Sequence, residues 1–211
     1  MIEYHKIQNV FKRDMTKPNS PLMEGVWTSP ELEYLSNNLW YFTEKVDGTN
    51  IRIQWDMYSV QFQGRSENSQ LPGRLVTRLR ELFPNDDKFE EIFIPASEVC
   101  LYGEGYGAGI QKGGSYGPNQ DFVLFDVRVG NTWLSRENVE DVAQKMGLSV
   151  VPIVKVGTLH EGINLVKKGL KSQWGDFICE GIVARPVVEL QTKRGDRVIV
   201  KIKTVDFKEN K

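Results

Sequence analysis

Within the stretch YFTEKVDGTNIRI, residues 41–53, Lys45 stands between two carboxylates, Glu44 and Asp47, just ahead of Gly48. A strand–turn–strand needs a Gly or Asn and alternating apolar residues, and it has no use for a lysine placed this way. Taken alone, a Lys before an Asp-Gly turn is ordinary solvated surface. Further charges, however, recur inside later apolar runs: Glu104 in LYGEGYG, Asp126 in LFDV, Glu180 in CEGIV, and Lys201 with Lys203 in VIVKIK. Each of these, taken singly, also fits the outward-facing member of an alternating strand. Their recurrence in order after Lys45 points to a shared polar cleft.

The order Lys-x-Asp-Gly, Gly-Glu, Phe-Asp, Glu-Gly, Lys-x-Lys resembles the covalent nucleotidyltransferase superfamily of polynucleotide ligases and mRNA capping enzymes. Within it the chain is most similar to ATP-dependent RNA ligases of the second bacteriophage type, and the resemblance spans about residues 40–203, including the loop GAGIQKGGSYG. It implies that Lys45 is the nucleophile that attacks the α-phosphate of ATP, forming a lysyl-AMP phosphoramidate and expelling pyrophosphate. An ammonium has no lone pair, so the amine is the reacting form; desolvation, a bound metal and the cations Lys201 and Lys203 all favour it. The same two lysines are implied to hold the α-phosphate and offset charge in an in-line displacement. Glu180 and Asp126 are the implied ligands of Mg²⁺ or Mn²⁺, directly or through water. Glu104 is implied to meet the ribose hydroxyls, Asn50 the triphosphate, Glu44 the adenine edge, with Arg65 in GRSEN matching the arginine after the second strand. Phe125 reads as an adenine-stacking ring or, equally, as an inward-facing strand residue. Asp47 departs from the phage-type pattern and matches DNA ligases and capping enzymes instead.

The elements that must position these residues read as α+β: mostly antiparallel sheets flanked by helices around a nucleotide cleft, an adenylation domain. WYFTEK, NIRIQW and YSVQFQ read as three successive strands with tight turns at Asp47-Gly48 and near Asp56. A helix is expected from Pro72 to Phe83, stopped by Pro84. EVCLYGE and DFVLFDVRV are strands joined by a glycine-dense loop, read as a flexible active-site loop because no Gly-Lys-Ser/Thr opens a helix after it. Ser135 caps a helix that Gly147 ends; Thr158 and Glu161 form a capping box for another ending before Gly169. VVPIVKVG, GIVARPV and DRVIVKIK complete the strands, the last alternating Val198, Val200 and Ile202 with Arg197, Lys201 and Lys203. Residues 1–39 form a lead-in, irregular at 16–38 apart from a short helix at 30–36, and residues 1–211 are expected to make one domain.

Composition bounds the rest. With 211 residues, 26% charged and 40% hydrophobic, the chain has enough material for a core, and a formal charge of −1 leaves nucleic-acid binding to local patches. Those patches are Arg74, Arg78 and Arg80; Lys167, Lys168 and Lys171; and Lys193, Arg194 and Arg197. Two isolated histidines, His5 and His160, support neither a zinc site nor a Ser-His-Asp triad, and Cys100 and Cys179 read as buried thiols in a reducing compartment. No apolar run or signal segment marks a membrane, so a cytoplasmic location is expected. The expected partner is nucleic acid with 5′-phosphate and 3′-hydroxyl ends, RNA in preference to DNA. A DNA ligase acting at nicks, a capping guanylyltransferase and a non-catalytic nucleotide-binding relative are the alternatives. Only eight residues follow Lys203, with no OB-fold or helical domain, so the chain is expected to be minimal, shortened, or reliant on an accessory protein for substrate binding.

Overall fold

The computed structural model describes residues 3–66, 68–96, 98–111 and 113–207, which divide into two compact units. Unit one comprises residues 3–5 with Asp47–Val151; unit two comprises Lys6–Val46 with the chain from Pro152. In chain order, β1 (Gln8–Asn9), β2 (Phe11–Arg13) and β3 (Leu22–Trp27) precede α1 (Pro30–Tyr34) and β4 (Trp40–Glu44). Next come β5 (Thr49–Trp55), β6 (Val60–Gln63), α2 (Gly73–Leu82), α3 (Asp87–Phe93), β7 (Val99–Tyr106), β8 (Asp121–Val129), β9 (Thr132–Trp133) and α4 (Arg136–Met146). β10 (Ile153–Gly157), α5 (Leu159–Lys167), β11 (Gly181–Pro186) and β12 (Val200–Lys203) follow.

Unit one is an antiparallel sheet in the order β6-β5-β7-β8-β9. Strand period places Ile51, Ile53 and Trp55 of β5 on one face, where they join Leu75 and Leu79 of α2 and Val139 and Met146 of α4 in one core. Asn50 and Arg52 fall on the other face, opposite Glu104 and Tyr102. The apolar phase of β8 switches midway: Phe122 and Leu124 reach the core before Phe125, Val127 after it. The cause is a bulge. Tyr102 pairs with Asp126 and Gly103 with Leu124, so Phe125 has no counterpart on β7.

Unit two is built on the sheet β1-β12-β11-β4-β10, antiparallel except for the β1–β12 pair. Trp40, Phe42, Ile182, Ala184, Val200 and Ile202 form its apolar face, packed with Leu159, Ile163 and Val166 of α5. Each buried Val, Leu, Ile or Phe among them contributes roughly 1.5–3 kcal/mol. Gly162 of α5 lets the helix approach closely, since a Cβ there would come within 2.6 Å of the Phe42 ring. The Thr158–Glu161 capping box is formed as expected, and Gly147 ends α4 in the left-handed region.

Three expectations are corrected. β4 and β5 do not form a hairpin: both edges of β4 are taken by β10 and β11, while β5 pairs with β6 and β7. The lead-in is partly paired, because its Pro- and Asn-rich stretch turns β2 back on β3, with Asp14 donating to the Pro21 carbonyl at 2.9 Å. The glycine-dense loop is tied down in its described residues. Ala108 donates to Gly117 and Gly113 to Ile110, Ile110 enters the core, and Tyr116 packs on Tyr106.

Candidate active site

The site in unit two follows from register. Antiparallel pairing sets Thr43, Val183 and Lys201 in one row across β4, β11 and β12, and Ile182 opposite both Glu44 and Ile202 in the next. One residue further, Gly181 pairs with Lys203 while its carbonyl accepts the Lys45 N–H at 2.9 Å. Alternation therefore sends Lys45, Lys201 and Lys203 to the face opposite α5. Glu180, directly before β11, meets two of them. Lys45 Nζ donates to its Oε2 at 2.5 Å and Lys203 Nζ lies 2.8 Å from its Oε1.

Gly181 makes this row possible. Its φ is +153°, and a Cβ would come within 2.1 Å of the Ile202 carbonyl oxygen. The electrostatics follow the geometry. Burial is the largest single influence on the Glu180 carboxyl and works to raise its pKa, but Lys45 and Lys203 together outweigh it and hold the group below its ordinary range. Lys201 is shifted below the usual lysine value, first by burial and then by repulsion from Lys203 and Lys45. Three cations and one carboxylate make a face suited to an anion such as a phosphate.

Glu44 belongs elsewhere. It shares the parity of Trp40 and Phe42, so it points to the α5 face, where it is buried to 1% exposure. Its Oε1 accepts from the Ser172 hydroxyl at 2.6 Å and its Oε2 from the Gln173 N–H at 2.7 Å. Burial raises its pKa against the opposing effect of those bonds.

In unit one, Asn50 and Glu104 lie directly opposite each other on β5 and β7. The Asn50 Oδ1 is buried without a hydrogen-bond partner; an amide there can accept or, turned over, donate. Gly48 fits against this pair only because it lacks a Cβ, which would meet the Gly105 carbonyl at 2.2 Å. Arg65 is exposed just after β6, and the fully buried Arg52 fixes the preceding residue by donating to the Gly64 carbonyl at 2.8 Å. Phe125 is half-buried at the bulge, edge-on to Tyr4 at 5.0 Å. Asp126 is wholly buried; it accepts from the Tyr4 hydroxyl at 2.8 Å and from its neighbour's N–H.

Sequence reasoning thus found Lys45, Glu180, Lys201 and Lys203, which the structure brings together, and the opposed pair Asn50 and Glu104. It missed Ser172 and Gln173 at Glu44, Tyr4 at Asp126 and Tyr116, whose hydroxyl accepts the Asp47 N–H at 3.0 Å. Gly181 was the one with a signal: a glycine between a charged residue and an apolar strand.

The family model described as RNA ligase matches residues 38–203. No curated protein matches the sequence. Among solved structures, the fold is similar to that of a Naegleria gruberi RNA ligase. A lysine-to-alanine variant of it with ATP and Mn aligns at TM-score 0.65 and 17% identity, over 82% of this chain and 51% of that one. An apo aspartate-to-alanine variant aligns at 0.66 and 17%, over 84% and 53%. The same ligase with PPi aligns at 0.64 and 18%, over 82% and 52%. The chain therefore spans about half the length of these relatives.

Proposed function

The chain belongs to the RNA ligase family, and on that premise we propose that it is an ATP-dependent RNA ligase that works through a lysyl-AMP. The observation that carries the reading is Glu180 bridging Lys45 and Lys203 beside Lys201 on one sheet face. In the first step the Lys45 Nζ lone pair attacks the α-phosphorus, the bond to the β-phosphate oxygen breaks, and pyrophosphate leaves. The departing ammonium proton has the Glu180 Oε2 already in hydrogen-bond contact. Lys201 and Lys203 bind the non-bridging oxygens and offset the charge that builds on them. AMP then passes to a 5′-phosphate of the nucleic acid, freeing Lys45, and a 3′-hydroxyl displaces AMP to form the phosphodiester.

Among the described residues no group of three or more His, Cys, Asp or Glu is arranged to hold a metal. A lone carboxylate beside a phosphate site suits Mg²⁺ or Mn²⁺, which keep most of their water and bind through one or two carboxylates plus substrate phosphates. Glu180 would hold such an ion by giving up one of its two lysine contacts, and the ion would neutralise phosphate charge and orient the leaving group. Asp126, committed to Tyr4 within unit one, is left to a supporting role. Asn50 and Glu104 would take the triphosphate and ribose contacts, Arg65 would meet phosphate, and Phe125 would stack on the base. No helix among the described residues is long and apolar enough to cross a membrane, and two buried free thiols fit a reducing cytoplasm.

The test is incubation with α-labelled ATP and Mg²⁺ or Mn²⁺. Label should remain on the wild-type protein through an acid-labile bond and be absent from Lys45→Ala. Equal labelling of that variant would sink the assignment. Sealing assays with RNA and DNA 3′-hydroxyl strands then separate RNA ligation from nick repair in DNA.

A further inference from the structure

The segment between α5 and β11 is a small hairpin in its own right. Cys179 donates to Leu170 at 3.0 Å, Lys171 bridges Ile178, and Ser172 donates to Phe177 at 2.8 Å. Its tip is therefore residues 173–176, and its second leg runs directly into Glu180. The hairpin is fastened at the tip. Both oxygens of the buried Glu44 carboxylate are engaged there, one by the Ser172 hydroxyl and one by the Gln173 N–H, while Ser172 Oγ also accepts the Trp174 N–H at 3.1 Å. At its base the second leg is fixed again, with the Thr204 hydroxyl donating to the Cys179 carbonyl at 2.9 Å and its N–H to Glu180 at 2.8 Å.

Glu44 is thus joined covalently to the residue that carries the Lys45 amine, and through hydrogen bonds to the segment that carries Glu180. It shares no face with the lysines, since adjacent strand residues point to opposite sides. A carboxylate with 1% exposure, on the apolar side of a sheet, carries a desolvation cost that only well-made bonds to its charge offset. We propose that Glu44 and Ser172 form a clamp that positions the Lys45–Glu180 pair for attack, so that Glu44 is a positioning residue and not a reader of the adenine base. The proposal rests on the lysyl-AMP reading above.

Single-turnover labelling with α-labelled ATP tests it in Ser172→Ala, Glu44→Gln, the double variant and Ser172→Thr, each corrected for its folded fraction by circular dichroism. Loss of a hydrogen bond to a buried charge should slow the maximal rate of lysyl-AMP formation by about ten-fold or more. The ATP concentration giving half the maximal rate should not change. The double variant should be no slower than the slower single one, because both substitutions break one unit. Ser172→Thr, which keeps the hydroxyl, should recover most of the rate, and the preference for ATP over GTP, CTP and UTP should stay as in the wild type. The clamp is overturned if Ser172→Ala forms lysyl-AMP at the wild-type rate per folded molecule. It is equally overturned if Glu44→Gln alone raises the ATP requirement or relaxes base preference. A wild-type protein that takes no label would instead defeat the ligase reading.

Discussion

Glu180 holds two ammonium groups with one carboxylate, and each member of that trio predicts a different loss. Lys203 meets Glu180 and shares the sheet face with Lys45, so Lys203→Ala removes a cation from the phosphate site without touching the nucleophile. Its rate of lysyl-AMP formation at saturating ATP should fall by about 100-fold, the scale seen when one preorganised stabiliser of transition-state charge is lost. Single-turnover labelling measures this, and a rate within two-fold of wild type, roughly 0.4 kcal/mol on the barrier, would remove Lys203 from the chemistry. The same pair has a pH signature. The folded Glu180 carboxyl lies below its ordinary value of 4.5, so the unfolded chain binds that proton more readily than the folded protein. Stability from this pairing is complete above about pH 4.5 and is lost as pH falls through the depressed folded value. Thermal melts between pH 6 and pH 3 should therefore show a shallower acid-side loss of Tm in Glu180→Gln than in the wild type.

At the level of elements, the row Lys45–Gly181–Lys203 depends on the glycine at its centre. Gly181→Ala would set a methyl 2.1 Å from the Ile202 carbonyl at a φ of +153°, so β11 and β12 must separate where the site is built. The expected cost is about 1–3 kcal/mol, read from urea denaturation, together with loss of labelling. Much of this was legible in the sequence. The alternation Val200-Lys201-Ile202-Lys203 put both lysines on one face, Ser135 and Thr158 marked two helix starts, and Gly147 marked an end. Strand partners were not legible. Consecutive strands with a Gly between them read as a hairpin, yet the neighbours of β4 arrive from more than a hundred residues downstream, and local periodicity carries no record of which edges are free. The partners of Glu44 were hidden for the same reason: its parity assigns a face, but only the hairpin after α5 reveals Ser172 and Gln173 there. The β8 bulge left a trace, since the apolar phase of FVLFDV slips at Phe125, though a continuous apolar run hides such a slip. Tyr4, from the start of the chain, supports that bulge by bonding the buried Asp126; Tyr4→Phe should cost about 1 kcal/mol in the same denaturation.

For the molecule as a whole, 27 basic residues are balanced by 28 acidic ones, so no overall field draws in a polyanion. Many of the expected basic patches are also spent internally. Arg78 pairs with Asp121 and Glu81, Lys167 with Glu24, Lys171 with Asp176, and Arg197 is buried against Glu189. Arg74, Arg80 and Lys168 are exposed and, among the described residues, in no ion pair, and so are the adjacent Lys193 and Arg194. The latter two occupy the tip of a turn held by Thr192 donating to Asp196 at 2.8 Å and Gly195 to Thr192 at 2.9 Å, on the chain that leads into β12. Those two hydrogen bonds limit the backbone freedom that the turn would lose on presenting its two cations to a phosphate backbone. Binding of a 5′-phosphorylated RNA, followed by fluorescence anisotropy across a salt series, should therefore be weak and steeply salt-dependent. For Lys193→Ala/Arg194→Ala the slope of log K against log[salt] should become shallower by about 1.4, at about 0.7 per single-strand phosphate contact, while ATP labelling of Lys45 keeps its wild-type rate. An unchanged slope would mean that the tip lies off the RNA path and that its two charges serve only solubility.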